Sequence, residues 1–338
     1  MSSNVLKKFR GLMDVGRVQG VSLTALVSLL GAYSSTGGIR FIDWLAFIFI
    51  AFFAHSSGAA VNEYMDIELD SMVPELSKKP LVSGVLSPKG VLAYIVTAFA
   101  ISLVSVIIFF NWTALLIFVL SYAIIIGYNV FGKKIPAFNE FLFPLGYAVY
   151  LFFGAYAIGA PTALSFIMSA SLFFATSFGQ WLNSVKDADF DKRAGIKSFA
   201  SLWKSGSDDP LTLRNPSLVL GLCIKALFLT LLSIPLLVGM FPPARFGFPI
   251  YLFIFVFICL PSQALIIKKL FGIRKREEFV KVMVLDTALS GIMGPIILID
   301  VIGADNVLLL VLFLLVGYAI GSFVQSGAEF KFKRVSRH

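Results

Sequence analysis

The chain has 338 residues, of which 58% are hydrophobic and 14% charged, with a formal net charge of +9; a soluble domain carries roughly 25% charged residues. That composition excludes a water-soluble globular enzyme, and because Lys and Arg sit in short stretches beside apolar runs, the basic balance reflects membrane topology and not a nucleic-acid surface. Two cysteines, Cys223 and Cys259, and two histidines, His55 and His338, exclude a disulfide framework, a Cys-ligated metal and a His cluster.

Crossing a hydrocarbon layer of ~30 Å takes about 20 apolar residues as a helix. The first such run, near 18–35, follows Lys7, Lys8 and Arg10 but has no small-residue cleavage site, so it reads as a mature helix and not as a secretory signal. The second, near 41–61, holds His55 as an ordinary packing residue and runs into Asn62-Glu63-Tyr64-Met65-Asp66-Ile67-Glu68-Leu69-Asp70. Asn62, Asp66 and Asp70 stand at i, i+4 and i+8, which is one face of a helix. Spans near 91–110, 112–128 and 140–160 follow. The sixth, near 162–182, runs into Asn183-Ser184-Val185-Lys186-Asp187-Ala188-Asp189-Phe190-Asp191-Lys192-Arg193-Ala194-Gly195, where Asn183, Asp187 and Asp191 repeat the spacing. The last four spans lie near 217–240, 247–270, 281–303 and 306–325. Lys225 falls inside the seventh, within snorkelling reach of its end, and Asp286 inside the ninth, about one turn from Lys281.

Ten spans put both termini on one side. All but three of the 28 Lys and Arg then share that side; Arg40 and Arg245 face the other way and Lys225 is intramembrane. The positive-inside rule makes the basic face cytoplasmic. The two longest polar stretches, about 62–90 and 184–216, lie on it, and long loops between packed spans are disproportionately functional.

Carboxylates one turn apart repel, and at the end of a membrane helix they are costly to desolvate, so two such sets call for cations. Magnesium prefers oxygen ligands and commonly bridges carboxylates to phosphate oxygens. Lys78 and Lys79 after the first segment, and Lys186, Lys192, Arg193 and Lys197 around the second, supply positive charge for such phosphates. Glu63, Glu68 and Asp189 lie off the Asn/Asp/Asp face and read as solvated. A secondary transporter also uses membrane-embedded carboxylates and is the main alternative, but its acids belong near the bilayer midplane, whereas these cluster at span ends. A CDP-alcohol phosphotransferase, also membrane-bound with spaced aspartates, opens on Asp-Gly-x-x-Ala-Arg, which this sequence lacks.

These residues resemble the UbiA superfamily of intramembrane prenyltransferases, whose signatures are Asn-x-x-x-Asp-x-x-x-Asp after the second helix and Asp-x-x-x-Asp after the sixth. They stand here as Asn62/Asp66/Asp70 and Asp187/Asp191. Lys79-Pro80-Leu81-Val82-Ser83-Gly84 is similar to the family's basic-Pro-Leu-x-Ser-Gly run, and Asp191-Lys192-Arg193-Ala194-Gly195-Ile196-Lys197-Ser198 to its Asp-x-x-x-Gly-x-Lys-Ser/Thr run. The likeness covers about residues 10–270. It implies an all-α, polytopic membrane bundle of nine to ten transmembrane helices around a central cavity open to lipid, a single domain over 1–338 with the two polar loops as its cap. It implies Mg2+ held by Asp66, Asp70, Asp187 and Asp191. It further implies a prenyl diphosphate, geranyl to geranylgeranyl or longer, whose head group meets Asn62, Lys79, Tyr128, Lys133, Lys134, Asn183, Lys186, Arg193 and Lys197. The acceptor is then a lipophilic molecule, an aromatic quinone precursor or an archaeal-type glyceryl phosphate lipid, met among membrane lipids with no nucleic acid. Three features depart from the pattern: Glu63 stands where many members have a second Asp, Lys79 replaces Arg and gives up its bidentate grip, and the span at 306–325 exceeds the common nine.

Overall fold

In a computed structural model of the chain, residues 3–72, 74–132, 135, 138–194, 198–203, 212–241, 249–271, 273 and 276–326 are described. Among them there is no strand, and ten helical stretches are long and apolar enough to cross a bilayer. Hydrocarbon offers no water to backbone N–H and C=O groups, so each apolar run satisfies them within its own helix. The helices are α1 (Ser3–Val15), α2 (Val21–Thr36, after a 3-10 turn at Val18–Gly20), α3 (Phe41–Met65), α4 (Ile67–Ser71) and α5 (Pro88–Phe109). They continue as α6 (Trp112–Val130), α7 (Phe138–Ile158), α8 (Ala163–Ala194), α9 (Phe199–Leu202) and α10 (Pro216–Leu237). A π turn at Phe255–Cys259 joins α11 (Ile250–Ile254) to α12 (Leu260–Leu270), and α13 (Arg276–Ile296) and α14 (Ile299–Ser326) follow.

Several boundaries move from where the apolar runs end. The polar residues after the second and sixth runs extend α3 to Met65 and α8 to Ala194, because neither Gly nor Pro interrupts them; α8 stops beside Gly195. Much of the stretch expected as a cap loop at 184–216 is therefore helix. At ~1.5 Å per residue α8 is about 48 Å long, well beyond a ~30 Å hydrocarbon layer. Near the C-terminus the expected gap at 304–305 lies inside α14, where Asn306 Nδ2 donates to its own Ile302 carbonyl at 2.7 Å. The interruption falls earlier, at Ile297–Leu298 after Pro295, and the irregular residue within α14 is Gly303 (φ 81°, ψ 161°).

The chain forms two compact units, each drawn from separated stretches. The first comprises Met1–Ala25, Ile48–Ser105 and Leu312–His338. Its helices are tied by hydroxyls that donate to carbonyls of neighbouring helices, Ser57 Oγ to Ile95 O at 2.8 Å and Ser22 Oγ to Leu314 O at 3.3 Å. His55 packs, as its place in a span implies: its Nε2 lies 3.1 Å from the Arg17 carbonyl and its Nδ1 2.8 Å from Thr24 Oγ1. A carbonyl only accepts, so in the neutral ring Nε2 carries the proton and Thr24 donates to Nδ1.

The second unit comprises Leu26–Phe47 and Val106–Val311. Ser121 Oγ donates to Gly146 O at 2.9 Å, tying α6 to α7, and Ser169 Oγ to Ala148 O at 2.8 Å, tying α8 to α7. The C-terminal half of α8 rests on α10, α12 and α13 through Phe178, Trp181 and Val185 against Leu218, Ile266 and Val282, and Trp181 Nε1 donates to Ser217 Oγ at 2.9 Å. Lys225 does not snorkel. About nine residues in from Pro216 it lies ~14 Å along the helix, and it is fully buried, donating to the Asp286 carboxylate of α13. Ser290 Oγ stands 3.4 Å from each partner, and the Phe178 and Phe228 rings lie 4.5 and 5.0 Å from the ammonium. The counter-charge of Asp286 is thus Lys225 and not Lys281.

Candidate active site

In the first unit the Asn/Asp/Asp segment crosses a helix break. α3 ends at Met65, Asp66 leaves helical geometry (φ −94°, ψ 1°), and α4 restarts at Ile67. The segment is therefore not one uninterrupted helix, yet its turn spacing survives: Asp66 N donates to Asn62 O at 3.1 Å and Asp70 N to Asp66 O at 2.8 Å. Lys79 Nζ lies 2.7 Å from Asp70 Oδ2 and 2.9 Å from Glu63 Oε2. Arg17 Nη2 lies 2.6 Å from Glu63 Oε1 and 3.0 Å from Asn62 Oδ1. Glu63 is therefore not solvated, as its off-face position implied, but buried between two cations; Glu68 is exposed, as expected.

The backbone explains how both cations arrive. Lys79 opens a turn in which the Ser83 amide and hydroxyl both donate to its carbonyl, each at 2.9 Å, and Gly84 takes φ +73°, a left-handed conformation natural to glycine. Arg17 is itself left-handed (φ 45°, ψ 50°), the one such non-glycine among the described residues. That conformation costs a side-chain-bearing residue on the order of 1–2 kcal/mol, so its neighbours must hold it there. Burial lifts the Asp70 carboxyl above the usual carboxylate range despite Lys79, with Glu63 and Asp66 adding to the rise. Burial pulls the Lys79 ammonium down, but its bonds to Asp70 and Glu63 outweigh that and leave it raised.

In the second unit the segment lies on α8 without a break. Lys186 Nζ donates to Asn183 Oδ1 at 2.7 Å and stands 3.1 Å from Asp187 Oδ2. Asp191, beyond the apolar stretch that ends at Ala188, is buried, and Ser198 Oγ donates to its Oδ2 at 3.2 Å. Ser198 also caps α9, reciprocally with Ser201, and the Phe199 amide donates to Glu140 Oε1 at 2.9 Å. Burial pushes the Asp191 carboxyl up to about 7, with Asp187 and Glu140 adding to the rise and Ser198 and Lys186 opposing it.

Tyr128 is buried near the end of α6 with its ring 5.3 Å from that of Phe143. Lys133, Lys134 and Lys197 lie outside the described residues, as do the side chains of Asp189, Lys192 and Arg193. The structure thus gathers Asn62, Asp66, Asp70 and Lys79 in one unit, and Asn183, Lys186, Asp187 and Asp191 in the other. Within neither unit, among the described residues, do three or more His, Cys, Asp or Glu side chains form a group able to hold a metal. Sequence reasoning missed the roles of Arg17 and Glu140. Arg17 stands 45 residues before Asn62 with no spacing to connect them, whereas an acid opening a membrane span, as Glu140 does, is a signal in itself.

The profile of the UbiA prenyltransferase family matches residues 21–285. Digeranylgeranylglyceryl phosphate synthase of Natronomonas pharaonis is 25% identical over 194 residues, 57% of this chain and 69% of that protein. 4-Hydroxybenzoate octaprenyltransferase of Aeromonas salmonicida is 25% identical over 245 residues, 70% of this chain and 81% of that protein. A solved structure described as a UbiA homologue from Archaeoglobus fulgidus bound to GPP and Mg2+ superposes with a TM-score of 0.63 at 16% identity, covering 87% of this chain and all of that one, a likeness of fold. With a family match over most of its length and ten helices able to span a bilayer among the described residues, the chain is a multi-pass membrane protein that belongs to the UbiA prenyltransferase family.

Proposed function

We propose that the chain transfers a prenyl group from a prenyl diphosphate to a lipophilic acceptor within the membrane, with Mg2+ held by Asp66, Asp70, Asp187 and Asp191. The observation that carries this reading is the pair of Asn/Asp/Asp stacks, each keeping its turn spacing at the end of an apolar span. The donors fit the ion. All are carboxylate or amide oxygens, the set magnesium prefers, and Asp191, lifted to about 7 chiefly by burial and further by Asp187, is a carboxyl whose ionised form a bound cation would stabilise. Bound magnesium supplies charge that neutralises a diphosphate leaving group.

The chain's own groups do the rest. Lys79 on Asp70 and Lys186 on Asp187 set ammonium groups beside the proposed ligands, where they would meet phosphate oxygens. Asn62, Asn183, Tyr128, Lys133, Lys134, Arg193 and Lys197 complete the proposed diphosphate subsite. The allylic C–O bond breaks with its electron pair leaving on the diphosphate, and the acceptor's nucleophilic oxygen or carbon forms the new bond and gives up a proton. The names of the relatives support two acceptor classes, a glyceryl phosphate lipid and an aromatic acid. The basic face, with both termini and the loops at 62–90 and 184–216, is proposed to be cytoplasmic.

The test is incubation of the purified protein in nanodiscs with radiolabelled geranylgeranyl diphosphate, magnesium and each acceptor class, with products separated by chromatography. Magnesium-dependent appearance of a prenylated acceptor is expected; no consumption of the diphosphate with any acceptor overturns the reading. Sidedness is read from Ser83→Cys, with Cys223 and Cys259 replaced by Ala: an impermeant maleimide is expected to label it only from the cytoplasmic side.

A further inference from the structure

The last helix, α14, lies beyond the stretch that matches the family, which ends at residue 285. Its C-terminal part packs on Val18–Ser22 at backbone distance. A Cβ added to Gly317 would lie 2.6 Å from Ser22 Cβ, and one added to Gly321 would lie 2.5 Å from Gln19 Cα and 2.7 Å from Val18 O. No real side chain fits there, so these two glycines, one turn apart, let the helix touch the chain it rests on. Ser22 Oγ fixes the register by donating to Leu314 O.

What α14 rests on is the start of α2 and the turn that follows Arg17. That residue keeps a left-handed backbone, its carbonyl is held by His55 Nε2, and its guanidinium reaches Asn62 and Glu63. Glu63 in turn holds Lys79, which holds Asp70. A continuous chain of contacts therefore runs from Gly317 and Gly321 through Val18–Ser22 and Arg17 to the first acidic segment, all within one compact unit.

We infer that α14 is a positioning strut: Gly321 against the Val18–Gly20 turn and Gly317 against Ser22 at the start of α2 clamp this stretch, which keeps Arg17 left-handed and its guanidinium on Asn62 and Glu63. Without the clamp, residue 17 relaxes to an ordinary conformation and the guanidinium leaves the segment, because a strained backbone persists only where its surroundings hold it. The consequence for turnover rests on the reading that this segment serves the diphosphate. α14 is then part of the machinery that orders the site, and not only an added membrane anchor.

Two measurements on the full chain in nanodiscs decide this. In the first, Gly321→Val is made with and without Arg17→Ala, and KM for geranylgeranyl diphosphate and kcat are measured. Gly321→Val is expected to raise KM roughly tenfold, the weight of one charge-assisted hydrogen bond, and to add nothing in the Arg17→Ala background. Additive effects in the two backgrounds, or a fall in thermal stability with KM unchanged, overturn the inference. The second uses the milder Gly321→Ala and needs no turnover, so it stands even if the wild-type protein consumes no diphosphate. Hydrogen exchange is expected to accelerate at residues 15–23 and 60–66; acceleration confined to α14 overturns the inference.

Discussion

Replacing Lys225 by Met removes an ammonium that is fully enclosed and leaves the Asp286 carboxylate, itself buried, without its counter-charge. Breaking a buried pair in this way costs about 3–5 kcal/mol. The Phe178 and Phe228 faces place the loss at the upper end, since a desolvated cation–π contact contributes ~2 kcal/mol. Replacing both partners, Lys225→Met with Asp286→Leu, removes the desolvation cost along with the attraction, and such exchanges are neutral or stabilising by ~1–4 kcal/mol. The assay is the fraction of protein that stays monodisperse after heating in detergent. The single variant is expected to lose on the order of 10 °C of thermal midpoint, at ~2–4 °C per kcal/mol for chains somewhat shorter than this one, and the double variant to match or exceed wild type. Turnover per folded molecule of the double variant is expected to stay near normal, because the pair braces α10 against α13 behind α8 and touches none of the proposed ligands. A double variant as unstable as the single one refutes the ion-pair account. A stable double variant with no turnover assigns the pair to the reaction or to an ion path instead.

Asp191→Ala and Asp66→Ala are each expected to lower turnover at least ~100-fold, the scale on which one electrostatic stabiliser of a transition state is felt, with detergent elution unchanged; near-normal turnover in either removes that residue from the site. Because burial pushes the Asp191 carboxyl up to about 7, it holds a proton below that pH and is ionised above it, so magnesium must displace a proton on the acid side. The half-saturating magnesium concentration is expected to rise by up to ~10-fold per pH unit below 7 and to level off above it; a value that stays flat from about pH 6 to pH 8 excludes Asp191 as a ligand. Glu63→Gln leaves Arg17 and Lys79 beside each other without their shared carboxylate and is expected to cost ~1–3 kcal/mol of stability, with Glu63→Asp recovering part of it; equal melting of all three proteins counts against the network.

The membrane spans were legible because hydrocarbon imposes a length and a composition on every helix that crosses it. Ten apolar runs correspond to ten membrane-length helical stretches among the described residues, and the mistaken ends fall where polar residues continue a helix past the apolar stretch, as at Asp187 and Asp191, or sit inside one, as at Asp305 and Asn306. The paired acids were legible for a related reason, since a one-turn spacing is a local property that the backbone preserves even across the break at Asp66. Pairings between distant residues were not. Nothing in the sequence joins Lys225 to Asp286, 61 positions away, or Arg17 to Glu63, 46 away, because those contacts depend on helix packing. The environment of Glu63 was misjudged on the same ground: its place on a helix face said where it points, and only its neighbours decide whether water is there.

The two segments share a spacing but differ in the partners described around them. In the first, Arg17 and Lys79 meet Glu63 and Asp70, so these two carboxyls are paired with the chain's own cations before any metal arrives. In the second, burial above all lifts the Asp191 carboxyl to about 7, with Asp187 and Glu140 adding to the rise and Lys186 and Ser198 opposing it. A compensated stack can fold in final form without metal, and a cation entering it must first displace an ammonium. A protonated one exchanges its proton for the ion at little structural cost. If both stacks bind magnesium, the Asp191 carboxyl, lifted to about 7, would release a proton on metal uptake near neutral pH, while on the α3 side Lys79 would have to turn away from Asp70, which would leave that ammonium tethered to Glu63 and available to a phosphate oxygen.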